Sequence, residues 1–340
     1  MNEKVNIQKM VTWYNMIFCV FVIWIHTKNT DLFSNTNVIL ATIQNFIVEN
    51  IAVVAVGGFY ICSGYLCFRN INAKKIPEKM KRIAFSLGVP YLVWNLIYYL
   101  FHCLVIKVPL LSGYYEEIPL NLDELVNAVL FYKYNPIFWY MQYLIVFVIM
   151  CPCIYLILKN KWIGGMSIFA LWGLAEKGIV LNVNPTLSYM INWLVLYMAG
   201  AFLGMHCRNL VEEHRKGNLE QIITILGTLF SFGLFKIYTS IGTTLLYYFF
   251  FSIMVWCLLK KVEELPIKSW MENTFFIYAV HFMIVRFVNK IAAIVLGNST
   301  YVGMGIFLLA PIMVFAICEI LRKILKKYAP CFWKILSGNR

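Results

Sequence analysis

The chain has 340 residues, of which 61% are hydrophobic and only 13% are charged, and its formal net charge is +13. A soluble domain has roughly half of its residues apolar and about a quarter charged, so this composition excludes an ordinary soluble protein. Apolar runs of about 18 or more residues recur along the chain, which is typical of membrane-spanning helices. We therefore expect an all-α, polytopic integral membrane helix bundle that forms a single domain over residues 1–340.

The apolar runs predict ten membrane-spanning helices. Their approximate ranges are 10–27, 46–68, 83–106, 138–158, 162–181, 188–206, 220–238, 241–259, 273–295 and 302–326. Lysine and arginine concentrate at both ends of the chain and in every second loop, whereas the loop at about 107–137 is acidic. Because cytoplasmic loops carry the excess of Lys and Arg, both termini are expected in the cytoplasm. The same bias explains the positive net charge without a nucleic-acid partner.

Polar side chains inside apolar segments are costly and usually functional. His26 lies about sixteen residues into the first predicted helix, near its outer end, where an interfacial histidine is an equally good interpretation. His281 lies near the middle of the ninth predicted helix, and Arg286 follows it by one turn and a half. A guanidinium at that depth needs a cavity or a partner, and Glu319 is one candidate for a purely structural ion pair.

Three other segments have both a structural and a functional interpretation. Ser63 and Gly64, in FYICSGYL, permit close helix packing near the inner end of the second helix. The basic loop that follows suits any cytoplasmic face and also an anionic ligand with phosphates; its candidate side chains are Lys79, Lys81 and Arg82. Trp139 and Tyr140 begin the fourth helix, where aromatic belts are common. The ten cysteines form no CxxC pair, and we expect no metal site.

Taken in order, these segments resemble the membrane acyltransferase 3 family over the whole chain. The matching elements are His26, FYICSGYL, KMKR at 79–82 with Pro-Tyr at 90–91, FWY at 138–140 and YAVH at 278–281. The chain departs from the family pattern at Asn15, eleven residues before His26, where the family commonly has Arg. It departs again at Lys79, which replaces the first Arg of an Arg-x-x-Arg motif. Both changes remove guanidinium forks that hold carboxylates and phosphates.

The resemblance implies a multi-pass enzyme of the bacterial cytoplasmic membrane. Such an enzyme moves an acyl group, acetyl by family frequency and succinyl as the alternative, from acyl-CoA to a hydroxyl of an extracytoplasmic sugar or cell-envelope glycan. His26 would be the general base, or a nucleophile that forms an acyl-histidine. His281 would orient His26 or polarise the thioester carbonyl. The acyl-CoA contacts implied are Asn15, Ser63, Lys79, Lys81 and Arg82, and those to the sugar or acyl arm are Trp139, Tyr140, Tyr278 and Arg286.

Two alternatives to an active enzyme remain open. A catalytically silent membrane partner or sensor derived from the family is favoured by Asn15, and binding of CoA would separate it from an enzyme. A transporter of a glycan precursor would use a polar cavity lined by His281, Arg286 and Glu319. Paired broken helices would favour transport, but the apolar runs carry no Gly or Pro interruptions in corresponding positions.

Overall fold

The computed structural model describes residues 4–33, 37–105, 118–178, 184–214, 217–262 and 264–338. Within these ranges the chain forms helices and no β-strand. The α-helices are α1 Ile7–Thr27, α2 Val38–Phe46, α3 Ala55–Phe68, α4 Ile76–Val105, α5 Leu122–Leu130, α6 Trp139–Ile149, α7 Cys151–Leu158, α8 Lys161–Lys177, α9 Pro185–His206, α10 Arg208–Glu212, α11 Leu219–Ile237, α12 Ile241–Leu259, α13 Thr274–Leu296, α14 Thr300–Tyr328 and α15 Pro330–Leu336.

Eight helical runs of the described residues are long and apolar enough to cross a bilayer. They are Ile7–Thr27, Val38–Phe68, Ala73–Val105, Pro185–His206, Leu219–Ile237, Ile241–Leu259, Ser269–Leu296 and Thr300–Tyr328. A ninth is added if α6 and α7 count as one broken span. The polytopic helical bundle is therefore confirmed, whereas the predicted number of ten spans is wrong for the part of the chain that the structure describes.

The predicted spans at 138–158 and 162–181 account for the difference between the ten predicted spans and the eight or nine observed among the described residues. The run predicted at 138–158 breaks at Met150, between α6 and α7. Pro152 explains the break, because proline lacks the N–H that a continuing helix requires and its ring collides with the preceding turn. Helix α8 has only 17 residues and ends at Gly178, which adopts a left-handed φ of 59°. Residues 179–181 of that predicted span lie outside the described residues.

The second span is longer and less regular than predicted. It begins at Val38, not at 46, and two short segments of other helix types separate α2 from α3. Ile47–Ile51 form a π-helical turn and Ala52–Val54 a 3₁₀ turn. The Asn50 amide nitrogen donates to the carbonyl of Phe46 at 3.0 Å, and the Tyr247 hydroxyl donates to the carbonyl of Asn50 at 2.7 Å. The segment stays helical throughout, unlike the unwound helices of transporters.

The chain divides into two compact units. The first unit comprises Met1–Lys74 and Cys151–Cys318, and the second comprises Lys75–Met150 and Glu319–Arg340. In the first unit, α1 packs against α3, α12 and α13, and α3 packs against α9. In the second unit, α4 packs against α5, α6 and α15.

Helices α3 and α9 approach so closely that only glycine fits at their contact. A Cβ atom on Gly64 would lie 2.1 Å from the carbonyl oxygen of Tyr197, and one on Gly200 would lie 2.0 Å from that of Ile61. Both distances are far inside van der Waals contact. The structural interpretation of the Ser-Gly pair in FYICSGYL is therefore confirmed for Gly64, because small residues let helix backbones approach each other in membranes.

The Pro-Tyr motif of α4 anchors the second unit. The Tyr91 hydroxyl donates to the carbonyl of Leu130 at 2.8 Å, and its ring stacks on Phe138 with centroids 5.9 Å apart. One turn later, Asn95 donates to the carbonyl of Val129 at 3.0 Å. These bonds attach the C-terminal end of α5 to α4 and give this family motif a structural function.

Candidate active site

The two predicted catalytic histidines lie side by side. His26 belongs to the last turn of α1 and His281 to the second turn of α13. Their ring centroids are 5.1 Å apart, with 50° between the ring planes. His281 is only 1% exposed, whereas His26 is half-buried. The pair thus combines an enclosed imidazole with one that is only partly enclosed.

The hydrogen bonding of His281 determines its tautomer. Its Nδ1 lies 2.6 Å from the carbonyl oxygen of Tyr278. Because a carbonyl oxygen only accepts, Nδ1 carries the hydrogen, and in the neutral ring Nε2 is left with an unshared electron pair. Nε2 is buried and has no hydrogen-bond partner among the described residues. A buried polar atom without a partner is uncommon in folded proteins, and at an active site it is a candidate for a transient bond.

An aromatic side chain links His26 to Arg286. The ring of Phe282 meets the His26 ring edge-on, with centroids 5.2 Å apart and 83° between the planes. The guanidinium carbon of Arg286 lies 5.3 Å from the centroid of the same Phe282 ring, within the range of a cation–π contact. Arg286 is exposed. The Phe282 ring therefore contacts both the His26 imidazole and the Arg286 guanidinium.

The suggested partner of Arg286, Glu319, has other cations beside it. Within α14, Glu319 pairs with Arg322 at 2.5 Å and with Lys323 at 3.7 Å. These i,i+3 and i,i+4 spacings place the charges on neighbouring positions of one helix surface. The described contact of Arg286 is instead with Phe282 on its own helix.

The other candidate residues of the first unit, Tyr278, Asn15 and Ser63, are all half-buried. Tyr278 is half-buried, its ring centroid is 6.0 Å from that of His281, and its carbonyl holds His281 in place. Asn15 is half-buried on α1. Eleven residues of α-helix place it about 16 Å from His26 and within about 20° of the same face. Ser63 is half-buried on α3, next to the close-packed Gly64.

The remaining candidates belong to the second unit. Lys79, Lys81 and Arg82 lie in the first turns of α4, where Lys79 is half-buried and the other two are exposed. Trp139 and Tyr140 are half-buried at the start of α6, and the Trp139 ring lies 5.7 Å from that of Tyr143. The predicted residues thus form two groups, one in each unit.

Sequence reasoning missed a buried cluster of amide side chains that continues from the histidine pair. Asn29, Gln44 and Asn289 are at most 4% exposed. The Asn29 amide donates to Asn289 Oδ1 at 3.2 Å and to the carbonyl of Gly303 at 3.1 Å, and Gln44 donates to Asn29 Oδ1 at 3.0 Å. Asn289 donates in turn to the carbonyl of Thr27 at 3.3 Å. The only sequence signal was amides in otherwise apolar surroundings.

A second missed feature is a carboxylate cluster around α10. Glu212 accepts a hydrogen bond from the Tyr65 hydroxyl at 2.6 Å and pairs with Arg69 at 2.6 Å and Arg208 at 2.9 Å. Burial alone would raise the pKa of Glu212, but these three hydrogen bonds outweigh burial and leave the pKa below its usual value. Nearby, the buried Lys260 pairs with Glu220 at 3.0 Å. These contacts join the ends of several helices at the predicted cytoplasmic face.

Comparison with known proteins identifies the family of the chain. No curated protein and no solved structure matches the chain significantly. One family, described as Acyltransferase domain, matches residues 13–321 and so covers nearly the whole chain. Both histidines and every other predicted site residue lie within this range. The chain is a member of the acyltransferase 3 family, a membrane acyltransferase.

Proposed function

We propose that the chain is an O-acyltransferase of the bacterial cytoplasmic membrane. It would move an acyl group, acetyl in the first place, from cytoplasmic acyl-CoA to a hydroxyl of an extracytoplasmic sugar or cell-envelope glycan. Membership of the family supports acyl transfer as the reaction. The contact between the imidazoles of His26 and His281 is the observation that most directly supports a histidine base at the site. The positive charge of the loops at both ends of the chain supports the orientation, with both termini in the cytoplasm.

In the proposed reaction His26 is the general base. It takes the proton of the sugar hydroxyl while that oxygen attacks the thioester carbonyl of the acyl donor. The new C–O ester bond forms, the C–S bond breaks, and the proton passes from His26 to the departing CoA thiolate. Histidine suits both steps because its unperturbed pKa lies near neutrality. The half-buried position of His26 supports access for the acceptor.

The tautomer of His281 favours one of its two expected functions. Polarising the carbonyl oxygen requires a hydrogen-bond donor. The Nδ1 hydrogen of His281 is already committed to the carbonyl of Tyr278, and Nε2 has none in the neutral ring. Nε2 is instead suited to accept an N–H from His26, which would orient the general base. We therefore assign His281 as a positioning residue, and Arg286, held over Phe282, is the cation available near the site.

The acyl donor requires a separate binding surface. Phosphates are too costly to bury in hydrocarbon and should remain in the aqueous phase. The exposed Lys81 and Arg82 and the half-buried Lys79 offer three cations within about one turn of α4. Asn15 and Ser63 would lie along the pantetheine arm, and Trp139, Tyr140 and Tyr278 would contact the acyl arm or the sugar.

Asn15 favours a second candidate, a catalytically silent derivative. It lies on the His26 face of α1, where the family's guanidinium would stand, and an amide carries no charge to hold a phosphate. A silent derivative would keep the fold and would neither bind nor turn over acyl-CoA. An active enzyme would bind CoA through the remaining cations.

The test is turnover of labelled acetyl-CoA by the protein in nanodiscs. Wild type is compared with His26→Ala, His281→Ala and Asn15→Arg. His102→Ala is the control, since His102 Nδ1 also lies close to a tyrosine carbonyl of its own helix, 2.9 Å from that of Tyr98, but its ring contacts Phe101 and Tyr134. General-base loss costs about 100- to 10,000-fold in rate. Succinyl-CoA is run in parallel to identify the acyl group.

Each outcome selects one function. Release of CoA that disappears in His26→Ala and persists in His102→Ala supports the proposed enzyme. Label retained on wild-type protein without acceptor, and absent from His26→Ala, selects an acyl-histidine intermediate over direct transfer. Neither binding nor turnover in wild type, with a gain in Asn15→Arg, selects the silent derivative. Equal turnover in wild type and His26→Ala refutes the assigned base.

A further inference from the structure

A cavity with several amide and hydroxyl side chains in its lining lies at the end of α1 that carries His26. Its volume is about 320 Å³, within the range of small-ligand pockets. Its lining comes from the turn after α1, from α2 and from the start of α14, and includes Asn29, Thr30, Asn37, Thr42, Gln44 and Asn45. Amides and hydroxyls both donate and accept hydrogen bonds, as sugar hydroxyls do.

The cavity lies near the two helices that carry the histidine pair, α1 and α13. Asn29, in its lining, follows His26 by three residues. Asn29 is bonded to Asn289, which follows His281 on α13 by eight residues, or about 12 Å of helix. Asn29 therefore belongs to the cavity lining and also lies about one helical turn from His26, which places the cavity beside the end of α1 that carries the proposed base.

The lining indicates the charge of the ligand. None of its described residues is Lys, Arg, His, Asp or Glu. The neighbouring charges on α1 and the second span, Lys28 and Glu49, pair with each other at 3.0 Å. Binding a phosphate or carboxylate without a cation carries a large desolvation cost, so this lining selects against anionic ligands.

One lining residue carries an unsatisfied hydrogen-bond acceptor. Asn45 Oδ1 is enclosed by protein atoms and has no partner among the described residues. Rotation of the Asn45 side chain toward the cavity would let this oxygen accept a hydrogen bond from a ligand hydroxyl. Phe33 and Met304 add apolar surface, and Phe33 reaches its position because Gly303 has no side chain: a Cβ there would lie 2.7 Å from the Phe33 Cβ.

We propose that this cavity is the acceptor site and that it takes an uncharged sugar unit, whose hydroxyl it presents to His26. The inference rests on the proposed function. It narrows the acceptor to neutral glycans or glycosides and excludes phosphate-bearing or carboxylate-bearing units such as those of teichoic acids.

The test uses the native host, with its chromosomal gene replaced by each variant. Ala41→Trp fills the cavity from α2, and Ile39→Trp is the matched control, since Ile39 lies on the same helix, is 70% exposed and does not line the cavity. Asn45→Leu keeps the side-chain size and removes the accepting oxygen. Two quantities are measured: acyl label in envelope glycans of cells, and acetyl-CoA hydrolysis to water by purified protein.

We expect Ala41→Trp to lower glycan acylation at least about tenfold while hydrolysis stays within about twofold of wild type. Asn45→Leu should lower acylation by up to about tenfold, and Ile39→Trp should change neither quantity. Mass spectrometry of digested wild-type glycan should find the acyl group on a neutral sugar. Wild-type acylation in both Ala41→Trp and Asn45→Leu, or an acylated unit that carries phosphate or carboxylate, overturns the inference.

Two controls distinguish failure of the acceptor-site proposal from failure of the proposed acyltransferase function. If wild type neither binds nor hydrolyses acetyl-CoA, the proposed function fails whatever the cavity variants do, and if hydrolysis is unaffected by His26→Ala, only the assigned base fails. If Ala41→Trp loses hydrolysis as well as acylation, the bulky side chain has disturbed the fold, and the milder Asn45→Leu decides.

Discussion

The ring of Phe282 meets the imidazole of His26 edge-on, with centroids 5.2 Å apart, and the guanidinium carbon of Arg286 lies 5.3 Å from the centroid of the same ring. An edge-on contact restricts ring rotation, because the positive edge of one ring points at the negative face of the other. His26 is only half-buried and would otherwise have more rotational freedom. Phe282 and His281 together therefore constrain the proposed base from two directions.

Shortening Phe282 should weaken this constraint. We expect Phe282→Leu to lower kcat of acyl transfer about tenfold with little change in the KM for acyl-CoA, because orientation of the base acts in the transition state. Phe287→Leu, an exposed position on the same helix, is the control. Steady-state kinetics in nanodiscs measures both constants. A rise in KM with unchanged kcat would mean that Phe282 binds substrate and does not orient His26.

The assignment of His281 as a positioning residue makes a different prediction. His281→Leu removes both ring nitrogens, and His281→Phe keeps a ring without any hydrogen-bonding atom. Both should reduce kcat about 100-fold, and neither should abolish the binding of acyl-CoA. Isothermal titration with CoA, beside the turnover assay, gives the two readouts. Full activity in His281→Phe would show that the ring serves packing alone.

The two ends of the chain should lie on the same side of the membrane. Lys4 and Lys9 precede or begin α1, and Lys326 and Lys327 end α14, so the positive-inside bias places both ends in the cytoplasm. A fluorescent reporter that folds only in the cytoplasm should therefore be active at either terminus. An odd number of spans, as when α6 and α7 form a ninth, would leave the C-terminal reporter dark.

The helical fold could be predicted because hydropathy is a property of about twenty residues at a time. The predicted and observed bounds of α12 agree for this reason. Irregularities are harder, since they depend on single residues and on tertiary bonds. Pro152 was visible in the sequence as a helix breaker, but the π-helical turn at Ile47–Ile51 has no comparable signal, and Tyr247 bonds its backbone from another helix.

The candidate site was predictable in part. His26 and His281 could be singled out as polar residues in apolar runs, and the structure places them 5.1 Å apart. The protonation pattern of His281 and the contact of Phe282 depend on side-chain geometry that no spacing rule supplies. The amide cluster around Asn29 was missed because its members come from three distant segments, and each alone resembles an isolated polar residue.

The α3–α9 contact should not tolerate even one methyl group. A Cβ on Gly200 would lie 2.0 Å from the backbone oxygen of Ile61, and backbone cannot move aside as a flexible side chain can. We expect Gly200→Ala to destabilise the protein by about 1–3 kcal/mol or more through overpacking. Gly173→Ala in α8, where the added atom meets nothing within 4 Å, should be neutral or slightly stabilising. Thermal unfolding in detergent compares the two, and equal midpoints would contradict the close contact.

The carboxylate cluster predicts how stability depends on pH. The folded-state pKa of Glu212 lies below its usual value of 4.5, so its ionised form stabilises the fold above that pH, and this contribution is lost as the pH falls through the folded pKa. Glu212→Gln should lower the unfolding midpoint by about 2–4 °C at pH 7, a moderate effect because Arg69 and Arg208 are partly exposed.

The difference between wild type and Glu212→Gln should shrink below about pH 4.5, since protonation leaves the wild-type carboxyl as uncharged as the amide. Glu213→Gln, at the next position, controls for a general change in surface charge. Thermal unfolding at several pH values between 7 and 3 measures the effect. A difference that persists unchanged to pH 3 would mean that Glu212 stabilises through its hydrogen-bond geometry and not through its charge, because glutamine reproduces only part of that geometry.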